Sequence, residues 1–358
     1  ALMNRYGLRN VTLAAQLIVV SGLVTSLAMT QVWQLILLWG VVIGIGTGMT
    51  ALVLGATIAT RWFVARRGLV IGMLTASVAT GQLAFLPLLA TITERYGWRV
   101  ALGFVCVMLG VAAFAVLMLM RDRPSDVGLR PFGDNGTAPL PAPPPANAPI
   151  MAAALGTLRE SSKSSVFWIL FATFFVCGAS TNGLVQVHLI PMCLDFGIPQ
   201  VQAASLLAAM GIFDFFGTII SGWLSDRYDN RYLLFWYYGL RGLSLLYLPY
   251  SDFTFYGLSL FAMFYGLDWI ATVPPTVRLT AQRFGAERAN LVFGWIFAGH
   301  QLGAGAAAFG AGVSRTVYSS YLPAFFIAGA LCVCAALITL AIARPQPKPA
   351  AEPKPAAA

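Results

Sequence analysis

Long apolar stretches alternate with short polar punctuation along nearly the whole chain. They cover residues 10–29, 32–60, 68–92, 100–120, 166–190, 202–224, 232–249, 254–277, 289–312 and 322–343. A hydrocarbon core of about 30 Å takes roughly 20 helical residues to cross, and these runs have that scale. A segment in lipid must satisfy its own backbone hydrogen bonds, so the runs are predicted to be helices. No ten-residue alternation of the kind seen in barrel strands competes with that reading. The connections are short except for residues 121–165, which separate four spans from six.

Composition removes the soluble alternatives. Hydrophobic residues make up 58% of the chain and charged residues only 10%, outside the range of a water-soluble domain. Glycines such as Gly44, Gly46 and Gly48, or Gly303 and Gly305 followed by Ala306 to Ala308, are expected to let helices approach closely. The cysteines at 106, 177, 193, 332 and 334 lack metal-ligand spacing and read as small packing residues, so neither a metal nor a cofactor is expected. Residues 1–9 are polar and basic, without the apolar core of a signal peptide.

The net charge of +9 does not point to nucleic acid, because the basic residues form no patch. They alternate with the membrane instead. If the first loop is cytoplasmic, 18 of the 22 Lys and Arg residues fall on that side, and only Arg95, Arg99 and Arg315 fall outside. This positive-inside asymmetry places the first loop, the central loop and the C-terminal tail in the cytoplasm. The central loop, with "APLPAPPPANAPI", and the tail, "RPQPKPAAEPKPAAA", read as solvated linker and tail.

The loop after the sixth run reads Gly222-Trp-Leu-Ser-Asp226-Arg227-Tyr-Asp-Asn-Arg231. It resembles the G-x-L-x-D-R-x-x-x-R signature of the major facilitator superfamily, in which glycine admits a neighbouring helix, aspartate faces a helix end and the arginines anchor the cytoplasmic face. The chain opens on a second copy from Leu2 onward, with Asn4 in the aspartate position followed by Arg5 and Arg9. A further repeat joins Phe63 to Arg67, followed by Gly72, with Phe284 to Arg288, followed by Gly294. Duplicated halves are expected of transporters that rock around a central site. Within the superfamily, "RWFVARRGLVIGMLTAS" and Gly211-Ile-Phe-Asp214 resemble monocarboxylate and oxalate/formate type carriers. Those carriers commonly have an arginine one turn after the aspartate, where this chain has Thr218.

The resemblance implies an all-α polytopic fold containing helices 3 to 12 of twelve. Residues 1–120 would then be the rest of an N-terminal bundle, 121–165 a linker, 166–343 a six-helix bundle and 344–358 a tail. With two helices missing, the chain as it stands is expected not to transport.

Ionisable groups within the spans are functional candidates by default. Asp214 lies 12 residues before Asp226, and Arg241 lies 14 after Arg227, so antiparallel neighbours put them at matching depth. They are expected to pair, either supplying the cation absent at Thr218 or merely tying two helices together. Asp268 and His300 match in the same way and suit proton coupling, the alternative being a core histidine bonded to a carbonyl. His188, with Asn182 and Gln186 on the same stretch, either meets substrate or is interfacial. Pro274-Pro275 should bend or end its helix, as a gate or as a plain terminus.

The function these readings favour is secondary transport of a small organic solute, an anion by preference, by alternating access energised by protons or by exchange. The protein is expected to be a monomer in the cell's inner (plasma) membrane, with lipid as its surroundings and no nucleic-acid partner. A drug or metabolite exporter of the same fold is the nearest alternative, and a non-transporting receptor or scaffold is the alternative from another class. An enzyme is not expected, since nucleotide-loop, H-E-x-x-H and G-x-S-x-G motifs are absent from the sequence.

Overall fold

The computed structural model describes residues 2–63, 67–134 and 150–342. The expected tail, most of the proline-rich stretch, the loop at 64–66 and the side chains of Asn4 and Arg67 lie outside the described residues.

The described chain is helical throughout. In order come α1 (Leu2–Tyr6), α2 (Leu8–Ser26), α3 (Val32–Leu35), α4 (Gly44–Trp62), α5 (Arg67–Tyr96), α6 (Trp98–Leu119) and α7 (Ile150–Ser161). Then follow α8 (Ser165–Gly178), α9 (Gln186–Asp195), α10 (Gln200–Arg227), α11 (Asn230–Tyr247), α12 (Phe255–Asp268), α13 (Val273–Phe284), α14 (Ala286–Tyr318) and α15 (Leu322–Thr339). Wider π-helical turns at Ile36–Ile43 and Ala179–Val185 carry α3 into α4 and α8 into α9 without a break. Among the described residues the only strand-like pairing is an isolated bridge from Phe63 to Phe132.

Eight stretches of described residues are long and apolar enough to cross a membrane. The other two expected runs, at 68–92 and 232–249, are occupied by α5 and α11, and Arg241 and a polar first turn lower the hydropathy of α11. Phe216, Leu243, Phe309 and Leu337 are each more than half exposed, at 53, 60, 77 and 60%. Such surfaces are a liability in water and a solvent face in lipid.

By packing, the chain forms two units: Ala1–Ala153 with Cys193–Phe215, and Ala154–Met192 with Phe216–Ala358. In the first, Leu8, Val11 and Met3 pack with Met49, Leu54 and Ile58. The carboxylate of Asp122 caps α2 by accepting from the Arg9 backbone N–H at 2.8 Å, and the Arg9 side chain donates to the Leu117 carbonyl at 2.6 Å. Gly7 makes room for that cap: its φ is 85°, and a Cβ there would run into the Asp122 carboxylate.

In the second unit α11 packs chiefly on α15, and α8 on α14, around Phe167, Leu170, Phe174, Tyr238 and Ile296. Glycine sets the α8–α14 distance. A Cβ on Gly178 would strike the His300 carbonyl, one on Gly183 that of Ala304, and one on Gly303 that of Phe175. Gly217 likewise lies against the Leu267 backbone, which brings α10 onto the end of α12. Of the glycines expected to mediate close approach, Gly46 and Gly303 do so. Gly44, Gly48, Gly305 and the signature Gly222 meet no neighbouring helix within their own units, because a glycine pattern does not reveal which face of its helix is covered.

Inside the segment read as linker the structure forms α7, whose Ala- and Leu-rich sequence favours helix and whose Leu158 packs on the core.

Gly178→Ala and Gly217→Ala are expected to destabilise the protein by about 1–3 kcal/mol, the cost of overpacking. That is a fall of several degrees in the melting temperature of the detergent-solubilised protein, whereas Gly222→Ala should not lower it. Equal melting temperatures for all three variants would refute the seam.

Candidate functional site

The second unit contains one helix that stops and restarts in its interior. α12 ends at Asp268 and α13 begins at Val273, with Pro274 and Pro275 in the first turn. Proline has no N–H, so the carbonyls of Ile270 and Ala271 lose their helical donors. Val273 N–H tightens onto Ile270 O at 2.9 Å, and Ser221 Oγ donates to Ala271 O at 2.5 Å. With Val273 diverted, the Trp269 carbonyl also loses its helical partner.

Arg241 of α11 fills the gap. Its Nη2 donates to the carbonyls of Asp268 at 2.5 Å and Trp269 at 3.1 Å, at the negative end of the α12 dipole. Its Nε donates to Asp268 Oδ2 at 2.7 Å, and its Nη1 to Cys177 Sγ at 3.0 Å. Arg241 is fully buried, and Asp268 is 5% exposed. A lone ion at that depth costs several kcal/mol, so a guanidinium is stable here only because its fork is matched on several sides.

Cys177 continues the network. Its thiol lies 3.3 Å from Thr272 Oγ1, and the next residue, Gly178, packs directly on the His300 backbone. The histidine stacks on Phe297, packs against Phe174, and pairs Nδ1 with Gln301 Oε1 at 3.0 Å. The Gly178–His300 backbone contact holds the thiol and the imidazole at the same level. Tyr265 OH closes the upper side by donating to Ser180 O at 2.7 Å, in the π-helical stretch.

The carboxylate that the structure sets against Arg241 is Asp268, which depth alone matches with His300. Residue counts along antiparallel helices fix height but not the side of the helix a residue faces. Asp214 is buried at 8% exposure and belongs to the first packing unit.

His188 donates from Nε2 to Ala308 O at 2.8 Å beside the Tyr321 ring, while Asn182 and Gln186 are exposed one turn apart. At the basic end of the unit Asp226 pairs with Arg278, and Arg227 lies over the Trp223 ring at 4.2 Å. Asp229 caps α11 through the Arg231 N–H at 3.0 Å and binds the Arg231 side chain, whose Nη1 donates to Ile342 O at 2.9 Å. In the first unit Arg5 lies over the Tyr6 ring. Sequence reading missed Cys177, Ser221 and Asp229. Only Asp229 carried a signal, as an N-cap residue type directly before an apolar run.

The chain matches the family model described as Major Facilitator Superfamily over residues 1–308. It is 25% identical over 296 residues to "Uncharacterized MFS-type transporter YcxA" of Bacillus subtilis (strain 168), covering 80% of this chain and 66% of that protein. It is 25% identical to "Monocarboxylate transporter 12-B" of Danio rerio, covering 90% of this chain and 70% of that one. "Monocarboxylate transporter 13" of Bos taurus is 26% identical, covering 95% and 75% respectively. Among solved structures, that of the E. coli fucose:proton symporter FucP superposes with a TM-score of 0.59 at 13% identity, covering 96% of this chain and 86% of that one. The chain thus spans between 66 and 75% of the length of these curated relatives.

Arg241→Lys keeps the charge but loses the fork, and the loss is expected to be on the order of 3 kcal/mol. It reads as a clear drop in melting temperature, larger than that of Asp268→Asn, whose amide oxygen still accepts from Nε. A melting temperature for Arg241→Lys equal to that of the wild type would contradict the assignment.

Proposed function

The chain belongs to the major facilitator superfamily, and from that premise we propose that it carries a small organic anion, a monocarboxylate by preference, across the membrane by alternating access coupled to protons. Membership makes it an integral membrane protein of a transporter family, and its relatives are transporters rather than enzymes. The choice of solute draws on the relatives whose names specify monocarboxylates.

One observation carries the coupling: a carboxylate, a guanidinium and a thiol are joined at a helix break, with His300 on the helix that packs against Gly178 beside that thiol. Buried ionisable groups are costly in a membrane interior, and interrupted helices mark binding sites in transporters. Asp268 and His300 are the groups assigned to the proton. With its donors committed to the break, Arg241 positions Asp268 and is not assigned to the solute. Asp214, Asn182 and His188 are the residues assigned to solute recognition.

The remaining features of the proposal follow the charge pattern and the family. Residues 1–120 and 166–343 form two related bundles that rock against each other, with 121–165 and 344–358 as cytoplasmic connections, in a plasma-membrane monomer. The Asp226–Arg278 pair and the hydrogen bond from Arg231 to the Ile342 carbonyl tie cytoplasmic helix ends together.

The test is uptake of a labelled short-chain monocarboxylate into proteoliposomes under an inward proton gradient. The gradient should accelerate uptake, and Asp268→Asn and His300→Ala should each lose the gradient-driven component. Proton movement unchanged in both variants would remove the coupling assignment, and extrusion of a lipophilic cation in place of acid uptake would favour an exporter.

A further inference from the structure

The repeat around Phe284 and Arg288 has no part in the transport reading, and the structure gives it a setting. Thr157, Glu160 and Ser161 of α7, Arg283 and Phe284 at the end of α13, and Arg288 and Val292 at the start of α14 line an open cleft of about 210 Å³. All of these belong to the second packing unit.

The cleft is electrostatically unfinished. Arg288 bridges to Glu160 at 2.7 Å, but both side chains are about 60% exposed, at 60 and 64%, so the bridge is weak and exchangeable. Arg283 also lines the cleft, and among the described residues nothing accepts a hydrogen bond or ion pair from it. Two guanidinium forks and two hydroxyl-bearing side chains supply the donors that an oxyanion such as phosphate accepts from. Phe284 and Val292 add apolar walls, and the exposed Leu155 lies on the same short helix, which Trp295 Nε1 holds by donating to Ala154 O at 3.0 Å.

We propose that this cleft binds a phosphate-bearing anion, the phosphoryl headgroup of a membrane lipid or free phosphate, between Arg283 and Arg288 in competition with Glu160. The site does not depend on the solute or on proton coupling, so its test is made without transport. Apparent affinity is read from the melting temperature of the detergent-solubilised full chain, with retained lipid read by native mass spectrometry. The probes are phosphatidylglycerol, a diacylglycerol lacking the phosphate, and inorganic phosphate alone.

Phosphatidylglycerol should bind and diacylglycerol should not. Arg283→Gln should weaken binding about tenfold, the size of one charge-assisted hydrogen bond. Glu160→Gln, which frees Arg288, should strengthen it. Binding of phosphatidylglycerol but not of inorganic phosphate identifies the lipid as occupant, and binding of both identifies free phosphate as sufficient. The proposal is overturned if diacylglycerol binds as well as phosphatidylglycerol, if no phosphate-bearing probe binds, if Arg283→Gln changes nothing, or if Glu160→Gln weakens binding.

Discussion

The second unit depends on how a broken helix disposes of its carbonyls. In lipid an unpaired carbonyl has no water to turn to, so the two prolines after α12 create a problem that another element must solve. Arg241 from α11 and Ser221 from α10 solve it, and in doing so they fix where Asp268 points. The guanidinium touches the break, a carboxylate and a thiol together. Ordered in this way, the break is both a structural joint and the place where titratable chemistry is gathered.

Backbone proximity makes the joint possible. The Asp268 end of α12 is reached from α10 because Gly217 admits the Leu267 backbone, and His300 sits beside the Cys177 turn because Gly178 admits the backbone of α14. Small residues therefore decide which polar groups meet, and their effect is local. The signature Gly222, one and a half turns past Gly217, has open space around it within its unit.

Much of this was legible in advance. Apolar run lengths mark the helices, the paired prolines mark the break, and the cost of a charge in lipid singles out Arg241, Asp268 and His300. The pairing was not legible, because counting residues from Asp226 and Arg227 gives depth and no azimuth. Cys177 carried no signal, since a thiol in an apolar run has the composition of packing, and its role appears only once Gly178 sets its neighbour. The helix α7 was hidden by the proline-rich sequence just before it, and Leu158 and Trp295 are what anchor it.

The central claim is that the Arg241 guanidinium holds the break between α12 and α13. Hydrogen exchange followed by mass spectrometry on wild type and Arg241→Met tests it most directly. The account predicts faster exchange in peptides spanning Tyr265 to Thr280, with the α8–α14 seam as protected as before. Unchanged protection across the break, or a uniform loss over the whole unit, would contradict it.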